Sequence, residues 1–249
     1  MEMAAGEQAA DRSVRAVAAL DDRLRRQMYA FIRDARRPVT REEVAVATGI
    51  SRKLAAFHLD KLVEVGLLRS RYEPAGGIRR VGRAPKVYEP AGPGVRVSIP
   101  ARHYEFLAAV LIDAVLSEDG GETARQAALR VARGRGEEAG ARVREQARPG
   151  RLGAERALSL AEAALRQWGL EPARDGHGGI RLGNCPFHPL AGKAPAVVCG
   201  INHRFLAGFL EGLQAPAVRA ALAGPRAGEC CVELQPVPSG RRAGSRPEA

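Results

Sequence analysis

The chain has 249 residues, 45% of them hydrophobic, and carries 39 Lys and Arg against 28 Asp and Glu, for a formal charge of +11 and a pI near 10.3. That is enough apolar material for two modest cores, and the positive balance favours a polyanionic partner through counterion release. Nowhere do 18 uncharged apolar residues run together, and the N-terminus MEMAAGEQAADRSVRA has no apolar stretch of leader length, so we expect no membrane partner and a cytoplasmic location in which the four cysteines act as thiols or metal ligands rather than as a disulfide framework.

Residues 1 to about 12 read as disordered. A helix from about Asp22 to Ala35 places Leu24, Met28, Phe31 and Ile32 on one side, and Pro38 stops it. Thr40 then caps a short helix whose third residue, Glu43, returns to the cap amide, with Val44, Val46 and Ala47 supplying apolar surface. Gly49 makes the turn, Ile50 plugs the corner, and Ser51 caps a second helix running to about Val65, where Gly66 ends it. In that second helix Ala55, Leu59 and Leu62 recur at core spacing, leaving Arg52, Lys53 and Phe57 outward and His58 at the edge of the outer face.

Two short strands follow, Leu67 to Tyr72 and Lys86 to Glu89, around the Gly- and Pro-punctuated tip EPAGGIRRVGRAP. From Arg69 to Lys86 there are six basic residues against one acid, Glu73. This layout predicts a winged helix-turn-helix over 13–92 that binds double-stranded DNA. Ser51, Arg52, Lys53, Phe57 and His58 would enter the major groove, and Arg79, Arg80, Arg83 and Lys86 would reach the flanking backbone. A winged helix that binds protein instead of DNA is the alternative.

A Pro- and Gly-punctuated connection, Pro90 to Pro100, leads into the apolar segment His103 to Leu116, whose helical face is too broad for one neighbour. It predicts a dimerisation helix within a helical linking region, 101–148, and so a homodimer reading two half-sites, with a helix buried in its own domain as the alternative. The mixed-charge stretch from Thr123 to Arg148 reads as helix broken at Gly134, Gly136 and Gly140. Residues 149–236 read as a small α+β sensor domain: helix 154–168, strands at 170–174 and 180–184, helix 196–213 and a closing strand at 230–234. The Pro-, Gly- and Arg-rich tail 237–249 reads as disordered, and the fold class of the whole is α+β.

All four cysteines lie in this last third. Cys185 stands where a strand ends, Cys199 at the start of the following helix, and Cys230 and Cys231 on the closing strand, where neighbours point to opposite faces and only one would join an inward site. Thiolates favour zinc or iron–sulfur centres, and Cys185-x2-His188 with Cys199-x3-His203 has the arithmetic of a four-coordinate zinc site. The candidate metal ligands are therefore Cys185, Cys199, one of Cys230 and Cys231, and His188 and His203. Two other readings keep the cysteines structural beneath an organic-ligand sensor, or make Cys199 a reactive thiol in an enzyme fused to the DNA-binding head. The second has no HExxH, GxSxG or phosphate-loop motif to name its reaction.

Taken together, GISRKLAAFHLDKLVEVGLL, the basic wing, ARHYEFLAAVL, NCPFHPLA, VVCGINHRFLAGFLEGL and GECCVEL resemble the SufR-like transcriptional regulators, of ArsR/DeoR winged-helix type, over about residues 20 to 235. The resemblance implies a homodimeric repressor whose C-terminal cysteines hold an iron–sulfur cluster of the [4Fe-4S] kind, with cluster occupancy altering operator affinity. It also implies ligation by Cys185, Cys199 and one of Cys230 or Cys231, with a non-cysteine ligand on the fourth iron.

Overall fold

The computed structural model describes residues 5–73, 84–92, 94–224 and 228–238 and divides the chain into two compact units, Met1–Ser98 and Ile99–Ala249. The protein is mixed α+β, with two small antiparallel sheets, one in each unit.

In the first unit α1 (Ala5–Ala19) is already helical where disorder was expected. Its alanines favour helix, Arg15 pairs with Asp11 at 2.6 Å one turn back, and Ala16 is buried in the unit's core. Next comes α2 (Arg23–Ala35), capped by Asp22 and contributing buried Met28 and Ile32. The chain then passes through the two-residue strand β1 (Val39–Thr40) into α3 (Arg41–Thr48). Thr40 and Glu43 close the expected capping box: the Glu43 amide donates to Thr40 Oγ1 at 3.3 Å, and the Thr40 amide donates to Glu43 Oε2 at 2.7 Å. Val44 and Ala45 turn inward, whereas Val46, assigned to the apolar surface by sequence, is 84% exposed. Gly49 adopts φ +69°, which lets the Ile50 amide return to the carbonyl of Ala45 and fixes the angle at which α4 (Arg52–Glu64) departs.

After α4 come β2 (Leu68–Tyr72) and β3 (Lys86–Pro90), paired antiparallel from Leu68 opposite Pro90 to Tyr72 opposite Lys86, with β1 on the other edge of β3. The sheet order is thus β1-β3-β2. Fully buried Leu59, Leu62, Val44, Ile32 and Met28 with Tyr88 form the core beneath it.

The second unit begins with α5 (Tyr104–Leu116) and α6 (Ala124–Ala147). They do not form a separate linking region, because Leu107, Val110 and Ala114 of α5 and Ala127, Ala128 and Ala132 of α6 share a core with Val198 and Ile201. Nor do the glycines break α6. Gly136 and Gly140 face Gly208 and Gly212 of α9 (Pro195–Gly212) so closely that an added Cβ would lie 2.0–2.1 Å from a backbone carbonyl oxygen of the opposite helix at each of the four.

A second core joins α7 (Ala154–Gln167) and α9 to one face of a four-stranded antiparallel sheet of order β4-β5-β7-β6. Its strands are β4 (Pro172–Arg174), β5 (Ile180–Leu182), β6 (Val218–Leu222) and β7 (Val232–Pro236). A one-turn helix, α8 (Leu190–Lys193), precedes α9. The sheet corrects two expectations. β6 falls in an alanine-rich stretch that shows no strand alternation in sequence, and the closing strand starts at Val232, so Cys230 and Cys231 precede it. Val237 still donates to the carbonyl of Ala217, which extends the pairing into the expected tail, and 239–249 lie outside the described residues. Among the described residues no helix is long and apolar enough to cross a membrane.

Candidate nucleic-acid interface and candidate metal centre

On α4 the division of faces follows the sequence. Ala55, Leu59 and Leu62 are completely buried, which sends Arg52 and Lys53 into solvent and leaves Phe57 57% exposed. Ser51 caps the helix by accepting from the Leu54 amide at 3.2 Å, so its hydroxyl is engaged in holding the N-terminus that carries Arg52 and Lys53. His58 is different: it is buried, its Nδ1 has no hydrogen-bond partner, and Phe57 lies edge-on to its ring at 5.2 Å. The one-residue step from Phe57 to His58, 100° round the helix, carries it onto the core side, so it packs inward and does not share the exposed face of Arg52, Lys53 and Phe57.

The ribbon is less freely basic than its composition. Lys86 Nζ reaches Asp60 Oδ1 at 2.7 Å, tying β3 to α4, and Arg69 and Arg71 both pair with Glu89 across the strands. Arg79, Arg80 and Arg83 lie outside the described residues.

The four cysteines meet at one end of the second sheet. Cys185 follows β5, Cys199 is the fifth residue of α9, and Cys230 and Cys231 sit just before β7. That last pair is pinned by its own backbone, since the Cys230 amide donates to the Leu182 carbonyl at 3.0 Å and the Cys231 carbonyl accepts from Ala223 at 2.8 Å. The pair lies before the strand, so strand alternation does not govern it, and each thiol interacts with a cysteine outside the pair, Cys230 with Cys185 and Cys231 with Cys199.

The sulfurs run in a chain of hydrogen-bonded thiols, Cys185 to Cys230 to Cys231 to Cys199. The Cys230 thiol donates to Cys185, whose pKa falls from 9.0 to about 6 with further help from the Phe187 and His188 amides and the charge of Arg102. Cys231 is likewise lowered to about 6, first by Cys230 and then by Cys199. Cys199 is pushed up to about 12 by burial and by donating to Cys231. Cys230 is raised because its proton is held between Cys185 and Cys231 in a buried position. Cys185 and Cys231 are thus the two sulfurs displaced toward the thiolate, and Cys199 and Cys230 the two displaced toward the thiol.

Such a donor set fits a thiolate-bound cation or cluster in number, softness and charge, and backbone amides aimed at the Cys185 sulfur are the kind of hydrogen bond that tunes such centres. The side chains are turned toward one another in sequence, however, and among the described residues no group of three or more His, Cys, Asp or Glu is arranged to hold a metal ion. The thiol chain decides which sulfurs belong together, since rotation about one side-chain bond redirects a cysteine sulfur.

Neither histidine joins them. His203 turns Nε2 to the carbonyl of Ala220 at 3.2 Å, and His188 is exposed. Two residues that sequence reasoning passed over do belong to the site. Asn202, buried in α9 one turn after Cys199, donates from Nδ2 to Cys230 Sγ at 3.1 Å, and Arg102 donates from Nη1 to the Cys185 carbonyl at 2.7 Å. Asn202 had a sequence signal, a polar residue on the inward side of an apolar helix, whereas Arg102 had none. No protein-family model, curated protein or solved structure matches this chain.

Proposed function

We propose that the protein is a DNA-binding transcriptional regulator of winged helix-turn-helix type, acting as a repressor, whose operator affinity is governed by a metal centre at the four cysteines of its second unit. The observation that carries the DNA-binding half is the division of α4: three fully buried core residues hold Arg52, Lys53 and Phe57 on one exposed face directly after a capped turn. That face, beside an antiparallel ribbon on a chain of charge +11, suits major-groove entry with phosphate contacts on either side. The metal half is supported by four soft sulfur donors that interact in series beside the second sheet, two of them, Cys185 and Cys231, displaced toward the thiolate that a cation would favour.

Cys185, Cys199, Cys230 and Cys231 would hold the group, an iron–sulfur cluster in the first reading and zinc in the second. A cluster would supply occupancy that responds to iron and oxidants, and zinc a structural tie. The working form in this reading is a homodimer joined through α5, because two readers then meet two half-sites.

Purification without oxygen, followed by iron, sulfide and zinc analysis and by footprinting of the loaded and stripped protein, tests both halves. Brown protein with acid-labile sulfide supports the cluster, and colourless protein with bound zinc supports the structural ion. Protein that holds no metal and binds its operator fully would overturn the metal half. Loss of sequence preference in an Arg52→Ala, Lys53→Ala double variant is expected, and unchanged preference would overturn the assignment of the reader.

A further inference from the structure

The loop that presents the first cysteine is strapped to the segment where the second unit begins. Three successive residues reach three backbone carbonyls of that loop: Arg102 Nη1 donates to Cys185 at 2.7 Å, the His103 amide donates to Pro186 at 2.9 Å, and Tyr104 donates its hydroxyl to His188. The same residues open α5, because the Leu107 amide closes the first helical turn on the carbonyl of His103. Phe106 stacks against Phe187 with ring centroids 6.2 Å apart, so the loop and the first turn of α5 also share an apolar contact. Residues 102–104 lie only a few residues past Ser98, the end of the first unit.

We propose that residues 102–104 form a mechanical relay between the sulfur site and the chain leading to the DNA-binding unit. Holding Cys185 in place holds the Cys185–His188 carbonyls, and these hold the entry of α5. The inference rests on the metal reading of the cysteines for its physiological trigger, but the relay itself is a property of hydrogen bonds within the second unit. Loop movement is converted into ordering or release of the α5 first turn because the three bonds are consecutive and share one short segment. Coupling then needs no contact between the sulfurs and the DNA-binding unit.

The test is amide hydrogen exchange on the full chain with and without zinc, in the wild type, Tyr104→Phe and Arg102→Gln. Zinc is expected to slow exchange at Leu107 and Ala108 in the wild type by about fivefold or more, the lower end of ordinary coupling between sites. In Tyr104→Phe the slowing shrinks toward none while zinc stoichiometry stays that of the wild type, and in Arg102→Gln, which also removes the charge beside Cys185, the slowing relative to the zinc actually bound shrinks likewise. Slowing that survives both substitutions, or zinc binding that leaves the α5 first turn unchanged in the wild type, overturns the relay.

If the wild type takes up no zinc, the zinc reading fails and alkylation of the thiols with iodoacetamide decides the relay separately. Faster exchange at Leu107 in the wild type, with no change in Tyr104→Phe and none in α7 of either protein, supports it. Equal exchange before and after alkylation overturns it.

Discussion

A thiol donating to a thiolate sets the chemistry of the sulfur site, and Cys230 stands between Cys185 and Cys231 with one proton that serves either of them. Removing the donor while leaving the acceptors isolates its effect. In reduced protein stripped with a chelator, thiolate absorbance should rise by two equivalents with a midpoint near pH 6, and Cys230→Ala should move that midpoint up toward the ordinary 9.0. The sign of the stability effect follows from linkage. Cys185 and Cys231 have folded values below 9.0, so their contribution is complete above 9.0 and is lost as pH falls through about 6. Cys199, raised to about 12, contributes fully below 9.0 and loses that contribution only as pH rises toward 12. Between pH 9 and pH 5 the first pair governs, so the urea midpoint of the stripped wild type should fall on acidification, and by less in Cys230→Ala. A midpoint of thiolate absorbance unchanged by Cys230→Ala would rule out Cys230 as the group that lowers its neighbours.

At the scale of elements the second unit depends on how closely α6 and α9 approach. At Gly140 a methyl group would meet the Phe209 carbonyl oxygen at 2.0 Å, and because that neighbour is backbone the helices must separate to admit it. Gly140→Ala should therefore destabilise the unit by about 1–3 kcal/mol, whereas Gly134→Ala, on the same helix with nothing within 4 Å, should stabilise it by about 0.5–1 kcal/mol. Opposite shifts in urea denaturation check the pair, and shifts of one sign would refute the close approach. These glycines also show where sequence reading stops. Scored by propensity Gly136 and Gly140 look like breaks, and only the matching Gly208 and Gly212 on a helix distant in sequence reveal them as a contact. The Thr40 and Ser51 caps, the Gly49 turn and the inward face of α4 were legible because each depends on residues within one or two turns. β6 was not, because Val218–Leu222 is made a strand by its neighbour β7 and not by its own pattern. Cys230 and Cys231 were placed on the closing strand for a related reason, since that strand begins one residue after Cys231. Among the site residues, the cysteines could be found by type alone, while Arg102 lies 83 positions from the carbonyl it holds.

For the molecule as a whole, the unanswered surface is the outer face of α5. Its inner residues Leu107, Val110 and Ala114 are buried in the second unit, yet Ala108, Leu111, Ile112, Val115 and Leu116 are exposed in a continuous stripe at helical spacing. Asp113, the one charged residue among these positions, is turned aside into an ion pair with Arg135 at 2.5 Å. In the proposed function this stripe joins two copies, which makes operator affinity the product of two linked half-site encounters. A charge placed at its centre should separate the copies without disturbing either core, because Val115 is 69% exposed. Val115→Asp is therefore expected to sediment as a monomer with a wild-type melting profile for the first unit, and to bind the operator about a hundredfold more weakly or worse through loss of the linked second site. The dependence of that residual binding on salt should fall to about half the wild-type slope, because one reader neutralises about half as many phosphates as two. A dimer that survives the substitution would remove α5 from the interface, and a monomer with undiminished operator affinity and slope would remove dimerisation from the mechanism.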